Sequence, residues 1–343
     1  MDPGALLMVG IPGLTLDRAT RRRLARIRPG GIILFRRNVR SLAQLRRLCA
    51  DLHRTDPRLL IGIDHEGGRV NRLPPPFTAF PPAATVAAAG SPRVAFAVGR
   101  AMGRELASVG IDIDFAPVLD VLTHPRNRVI GDRAFGCTPA QVATLGLALA
   151  RGLRAGGVVP CGKHFPGHGA SRGDSHVVLP RVRRSRRDLA RIDLAPFRRA
   201  VAARIPCLMT AHVLYPALDR ASPASLSAPI VSGILRRGLG FRGVVVSDDL
   251  EMGAVAHRLA PEEAAVRAVA AGTDMLLVCA NLGVAERARA GLVAALADGR
   301  IPFERAREAA ARIARLRAPG TRRRAPIARW PAPAHAELAR RLS

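Results

Sequence analysis

Eight short runs rich in aliphatic and β-branched residues alternate with segments of helical period, and few folds accommodate that alternation. The runs are Leu6–Gly10, Gly31–Phe35, Leu59–Asp64, Asp112–Val121, Val158–His164, Cys207–His212, Gly243–Asp248 and Asp274–Cys279. Amphipathic helices fit between them at Asp17–Ile27, Leu42–His53, Pro92–Val109, Pro139–Ala155, Ser185–Ala203, Ala228–Leu239 and Pro261–Ala271. Two more, Val284–Ala297 and Phe303–Leu316, follow the last run. Parallel strands need long crossovers, so this order predicts a parallel sheet with covering helices. Eight such units in 343 residues fit an α/β fold of the (β/α)8 barrel type better than an open doubly wound sheet. No fixed-period repeat is present, which argues against a solenoid. The barrel is expected over residues 1–318, and 319–343, rich in Pro and Arg, as a tail that packs on it or is disordered.

Polar residues gather where these runs give way to loops, the side on which barrel enzymes carry their sites. The third run leads into Asp64, Glu66, Arg69 and Arg72; the fourth into Asp114, Asp120, Asp132 and Arg133; the sixth ends at His212. The seventh, Val244-Val245-Val246, feeds into Ser247-Asp248-Asp249. A carboxylate there can be a nucleophile at a sugar's anomeric carbon, a metal ligand or a helix cap. Asp249 or Ser247 can fill the capping role and leave Asp248 free.

The densest chemistry is KHFPGHGASRGDSH, Lys163 to His176, with one lysine, three histidines, an aspartate and three glycines and no regular period. Lys163 is the single lysine among 54 basic residues; the other 53 are arginines. A chain that writes nearly every cation as Arg has kept a compact ammonium here, where a planar guanidinium differs in shape and donors. In Asp174-Ser175-His176 a carboxylate two residues from an imidazole can support its protonated form, making His176 an acid that turns into a base in a following step. Asp64, Arg72, Arg133, Lys163 and His164 can supply hydrogen bonds to a ring of hydroxyls. A metal site would take His164, His168, His176 and Asp174, but helical H-E-x-x-H spacing and cysteine clusters are missing and Lys163 sits beside His164. A phosphate site is disfavoured because no glycine loop precedes a helix in the P-loop pattern.

Composition narrows the partners. A net charge of +28 invites nucleic acid, yet aromatics are 3% of the chain, too few for stacking platforms. The nine arginines of Arg181–Arg204 are interleaved with Leu189, Ile192, Leu194, Phe197 and Val201, the pattern of a solvated helix face. Apolar stretches are interrupted well before the ~18 residues of a membrane span. The start, MDPGALLMVGIPG, lacks a basic n-region and reads as a first strand, not a signal peptide. Cys49, Cys137, Cys161, Cys207 and Cys279 form no close pair and read as thiols of a reducing cytoplasm.

GIDHEGGRVNRL, DFAPVLDV, NRVIGDRAFG, KHFPGHG with DSH, MTAH, PASLS and GFRGVVVSDDLEMGAV occur in that order. Together they resemble the bacterial β-N-acetylglucosaminidases (β-hexosaminidases) of glycoside hydrolase family 3, NagZ type, over nearly the whole chain. The resemblance implies a single-domain barrel that removes terminal β-linked N-acetylglucosamine (GlcNAc) with retention; no cofactor or metal is expected. It places the nucleophile on Asp248, the acid/base dyad on His176 and Asp174, and sugar binding on Asp64, Arg72, Arg133, Lys163 and His164. His65 stands where the family more often has Gln. Without the extra C-terminal domain of some secreted relatives, a monomeric cytoplasmic enzyme acting on peptidoglycan (muropeptide) fragments is expected, with no nucleic-acid partner. A β-glucosidase or xylosidase of the family, a GlcNAc phosphorylase variant and a silent sugar-binding barrel are the alternatives.

Overall fold

The apolar runs pair in chain order and close on themselves. In the computed structural model, which describes residues 2–175, 177–316, 327 and 329–342, the strands are β1 (Leu7–Gly10), β2 (Gly31–Leu34), β3 (Leu60–Ile63), β4 (Ile113–Asp114), β5 (Val159–Phe165), β6 (Cys207–Thr210), β7 (Val244–Asp249) and β8 (Met275–Val278). They form a closed barrel in sequence order, parallel throughout, with β8 returning to β1 through Leu7 opposite Leu276 and Val9 opposite Val278. Every residue of β1, β2, β3, β6 and β8 is buried, because helices cover the outer face while side chains fill the inner one.

The covering helices are α1 (Arg18–Ile27), α2 (Leu42–Thr55), α3 (Ala83–Ala88), α4 (Pro92–Ser108), α5 (Pro139–Gly156), α6 (Arg186–Asp188), α7 (Leu194–Ala202), α8 (Gly253–Ala256), α9 (Pro261–Ala271), α10 (Leu282–Ala297), α11 (Phe303–Leu316) and α12 (Pro333–Arg340). Their ends follow local chemistry. The Asp17 carboxylate accepts from Thr20 N–H at 2.6 Å to start α1. Gly157, at φ 103°, ends α5 in a left-handed conformation that a side chain would oppose. The α4–α5 crossing is close because a Cβ on Gly99 would lie 2.2 Å from the Leu149 carbonyl oxygen, and one on Gly152 2.2 Å from that of Phe96.

Three elements depart from the sequence reading. The fourth strand was expected over Asp112–Val121 but pairs regularly only at Ile113 and Asp114. Pro117 has no N–H to give the ladder, and beyond it the chain bonds β5 at single points, such as Leu119 N–H to the Lys163 carbonyl at 2.6 Å. The helix expected over Ser185–Ala203 is interrupted by a π-turn, Leu189–Asp193, between α6 and α7. The widened turn brings Asp193 against Gly167, where a Cβ would lie 2.8 Å from the Asp193 Cβ, and the buried Asp193 carboxylate accepts from Arg184 at 2.8 Å. The helix expected over Ala228–Leu239 is π-helical over Pro229–Gly238.

The described part of the Pro/Arg-rich tail packs on the barrel. Trp330 meets the Phe77 ring edge-on at 5.0 Å, and α12 lies along α4. His335 Nδ1 is 2.8 Å from Glu105 Oε1, a fully buried carboxylate that also accepts from Thr78 N–H at 2.9 Å. The boundary expected between 318 and 319 lies outside the described residues. Among the described residues no helix is long and apolar enough to cross a membrane.

Candidate active site

The loops after the strands enclose a cavity of about 630 Å³ at the carboxyl end of the barrel. Asp64, Arg72, Arg133, Lys163, His164, Asp174 and Asp248 all border it, although they come from four different loops or strand ends. His176 lies outside the described residues.

One wall is a ladder of alternating charge. Lys163, at the inner end of β5 and 3% exposed, places Nζ 2.6 Å from Asp64 Oδ1 and 2.7 Å from Glu66 Oε1. Arg133 grips the same Glu66 with both sides of its fork, Nε to Oε2 at 2.7 Å and Nη2 to Oε1 at 2.8 Å. Arg72 stands 3.9 Å from the other Asp64 oxygen. Burial would discharge Lys163, but Asp64 and Glu66 outweigh it and hold the ammonium well above the ordinary lysine range. Burial likewise opposes ionisation of Glu66, and Lys163 and Arg133 outweigh it, keeping the carboxylate anionic. Asp114, one layer deeper, has no such cation in contact. Burial pushes its pKa well above the ordinary carboxylate value, favouring the protonated form.

A second wall is built on Asp120. Its Oδ2 lies 2.7 Å from His164 Nδ1, and its Oδ1 accepts from the His168 N–H at 2.6 Å. Burial raises the Asp120 pKa, but His164 and His168 lower it more, so the carboxylate can only accept. His164 therefore carries its proton on Nδ1 and keeps Nε2 for the cavity. His168 is neutral, with burial dropping its pKa to about 4. Its Nδ1 is 2.7 Å from Ser171 Oγ and its Nε2 3.4 Å from Ser175 Oγ. The Ser175 carbonyl accepts from Ala254 N–H at 3.1 Å, which ties the residue just before His176 to the start of α8.

The floor holds two neighbouring carboxyls whose pKa values shift in opposite directions. Burial raises the Asp248 pKa, but His212, His164, the Asp249 N–H (2.9 Å to Asp248 Oδ1) and Lys163 together hold it below the ordinary value. Asp249 also lines the cavity, but its Oδ1 accepts from the N–H groups of Glu251 and Cys279, both at 3.1 Å, and burial lifts its pKa to about 7. His212 buttresses the pair: Nε2 donates to the Asp249 carbonyl at 2.9 Å and Nδ1 accepts from Ser225 Oγ at 2.6 Å. An ionised carboxylate at the end of a barrel strand, facing a cavity rich in sugar-sized donors, is equipped to attack an electrophilic carbon.

The profile of the glycosyl hydrolase family 3 N-terminal domain matches residues 4–316. The chain belongs to glycoside hydrolase family 3. This family 3 chain is 44% identical over 285 residues to a beta-hexosaminidase of Chromobacterium violaceum, covering 81% of this chain and 79% of the relative. It is 44% identical over 290 residues to one of Pseudomonas aeruginosa, covering 83% and 86%. Among solved structures, a family 3 beta-N-acetylglucosaminidase from Paenibacillus sp. superposes with a TM-score of 0.94 at 39% identity, over 99% of this chain and 67% of that one. NagZ of Neisseria gonorrhoeae, in complex with N-trifluoroacetyl-D-glucosamine, superposes with a TM-score of 0.77 at 37% identity, over 91% and 98%.

Some members of the constellation escaped the sequence reading of the glycosidase site. Glu66 was noted as a polar residue but not as a partner of Lys163 and Arg133; its signal was its spacing, two residues from Asp64 on extended chain, which turns both carboxylates the same way. Arg126, Asn127 and Arg128 line the rim and had no motif to flag them. His65, next to Asp64, faces the other way: it is 1% exposed, its N–H donates to Asp114 Oδ1 at 3.0 Å, and burial drops its pKa to about 4. Among the described residues no three His, Cys, Asp or Glu side chains are placed to hold an ion; His176, one of the four ligands a metal site would take, lies outside them.

Proposed function

We propose that this family 3 enzyme is a retaining exo-β-N-acetylglucosaminidase that removes terminal non-reducing GlcNAc from peptidoglycan fragments during cell-wall recycling in the cytoplasm. The observation that carries the reading is the placement of Asp248 at the carboxyl end of β7, on the cavity that Asp64, Arg72, Arg133, Lys163 and His164 also line. The names of the relatives and of the superposed structures support the sugar.

In this reading Asp64, Arg72, Lys163, His164 and Arg133 hold the sugar ring. Lys163 spends two N–H groups on Asp64 and Glu66, which leaves one for a hydroxyl. Asp248 attacks the anomeric carbon and forms a glycosyl ester while the bond to the leaving oxygen breaks. His176, as imidazolium, gives that oxygen its proton, supported by Asp174. The neutral imidazole then takes a proton from water as it attacks the ester carbon, which frees Asp248 and returns GlcNAc with its β configuration. The barrel domain 1–318 carries all of these groups, and the sugar and these side chains suffice without a metal or cofactor.

Chromogenic β-glycosides of GlcNAc, glucose and xylose, assayed with and without phosphate, test the reading. Fast release from the GlcNAc glycoside alone, independent of phosphate, is expected. Preference for glucose or xylose, or a rate that requires phosphate, refutes it.

A further inference from the structure

A second cavity, of about 740 Å³, opens beside the first, between the loops that follow β4 and β5. Its walls carry Arg172, Arg181, Arg183 and Arg184 over an apolar floor of Leu179 and Val182. Among the described residues only Arg184 of these four meets a carboxylate, that of Asp193 at 2.8 Å. Arg172 instead donates from Nε to the His124 ring nitrogen Nε2 at 2.9 Å. Three exposed guanidiniums around one hollow repel each other, and an anion placed among them relieves the repulsion.

The two cavities are lined by neighbouring residues of the same two loops. Arg172 precedes Gly173 and Asp174, which line the first cavity, and His124 lies two residues before Arg126 on its rim. Arg172 and His124, in contact with each other, line the second cavity at the positions where these two loops run on into the first. The backbones of Arg172 and Arg181 pair as an isolated antiparallel bridge, which closes the neck of the loop carrying Asp174 and brings the cations to one side. A hollow of this size is not filled by a single inorganic anion. Spaced cations over an apolar floor suit several carboxylates carried on a short chain, as in an acidic peptide.

We propose that this arginine-lined cavity binds the anionic end of the aglycone, so that the enzyme selects β-N-acetylglucosaminides whose leaving group bears carboxylates. The proposal rests on the glycosidase reading above and adds the residues that hold the leaving group. The glycone is held by Lys163 and its neighbours, and the acidic chain leaves the first cavity past Arg126 and runs by His124 and Arg172 toward Arg181 and Arg183.

The test uses two synthetic GlcNAc β-glycosides that share one peptide-bearing aglycone, one with free carboxylates and one with them capped as amides. The proteins are wild type and the Arg181→Gln/Arg183→Gln double variant. Wild type is expected to prefer the acidic substrate by about ten-fold in kcat/KM, from about three- to five-fold per partly exposed ion pair. The preference should reside in KM, fade as ionic strength rises, and vanish in the double variant while the capped substrate is turned over as before. Equal kcat/KM for the two substrates in wild type overturns the proposal, as does a variant that slows both alike. Millimolar inorganic phosphate supplies the other source of anion. Competition with the acidic substrate alone supports the assignment, whereas activation of the capped substrate in wild type but not in the variant reassigns the cavity to a free anion. Failure of wild type to cleave even the capped substrate refutes the glycosidase reading itself, and the cavity's role falls with it.

Discussion

Lys163→Arg keeps the charge and should still damage the enzyme. Nζ sits 2.6 Å from Asp64 and 2.7 Å from Glu66 with the side chain 3% exposed, so one nitrogen bridges two carboxylates in a closed space. A guanidinium must put a carbon and further nitrogens where that nitrogen sits. Overpacking of this kind costs about 1–3 kcal/mol. Glu66 is already held at 2.7 and 2.8 Å by Arg133, so a second planar fork cannot approach it in the same plane. The third ammonium N–H, which we assign to a sugar hydroxyl, loses its aim, and a hydrogen bond from a charged donor contributes about 1.5–3 kcal/mol. At about 1.4 kcal/mol per factor of ten, kcat/KM for an aryl GlcNAc glycoside should fall roughly ten- to a hundred-fold. Thermal melting measured alongside separates the packing cost from the lost contact. Undiminished kcat/KM in a folded Lys163→Arg protein would refute the reasoning and leave Lys163 as a bystander.

Asp248→Asn should lower turnover by several orders of magnitude with the fold intact, since a nucleophile is not replaced by a neighbour out of line; a variant keeping more than about a tenth of the wild-type rate would transfer the role to Asp249 or another group. His176→Ala should slow substrates with poor leaving groups far more than activated aryl glycosides, Asp174→Ala should do so more mildly, and EDTA should change neither; equal losses on both substrates, or inactivation by chelation, would remove the acid/base assignment. Asp249 titrates at about 7 in the fold against an ordinary value of 3.8, so the native state binds the extra proton. Its contribution to stability is therefore full below about pH 4 and lost as pH rises through about 7, and Asp249→Asn should flatten that decline; denaturant midpoints that fall in parallel in both proteins across this range would contradict it.

The barrel was legible in the sequence because alternation of buried strand and amphipathic helix is a local property, repeated eight times, and few closed topologies satisfy it. The positions of Asp64, Lys163 and Asp248 near one another were legible for a related reason: each ends a strand on the same side, and parallel strands collect their carboxyl ends at one rim. What pairs with what was not legible. That Glu66 bridges Lys163 and Arg133, that Asp120 orients His164, and that Asp249 rather than Asp248 accepts the Cys279 N–H depend on distances across the barrel between residues up to about a hundred positions apart. The same holds for neighbouring charge: burial raises both carboxyls, but His212, His164 and Lys163 hold Asp248 below its ordinary value, whereas Asp249, beside Glu251 and Asp248, rises to about 7. Local pattern also missed the π-turn at Leu189–Asp193 and the early end of β4, where Asp193 meets Gly167 and Pro117 interrupts the ladder. Periodicity reports which face of a segment is apolar; only the closed barrel decides which polar groups lose water together, and that shared desolvation sets their charges.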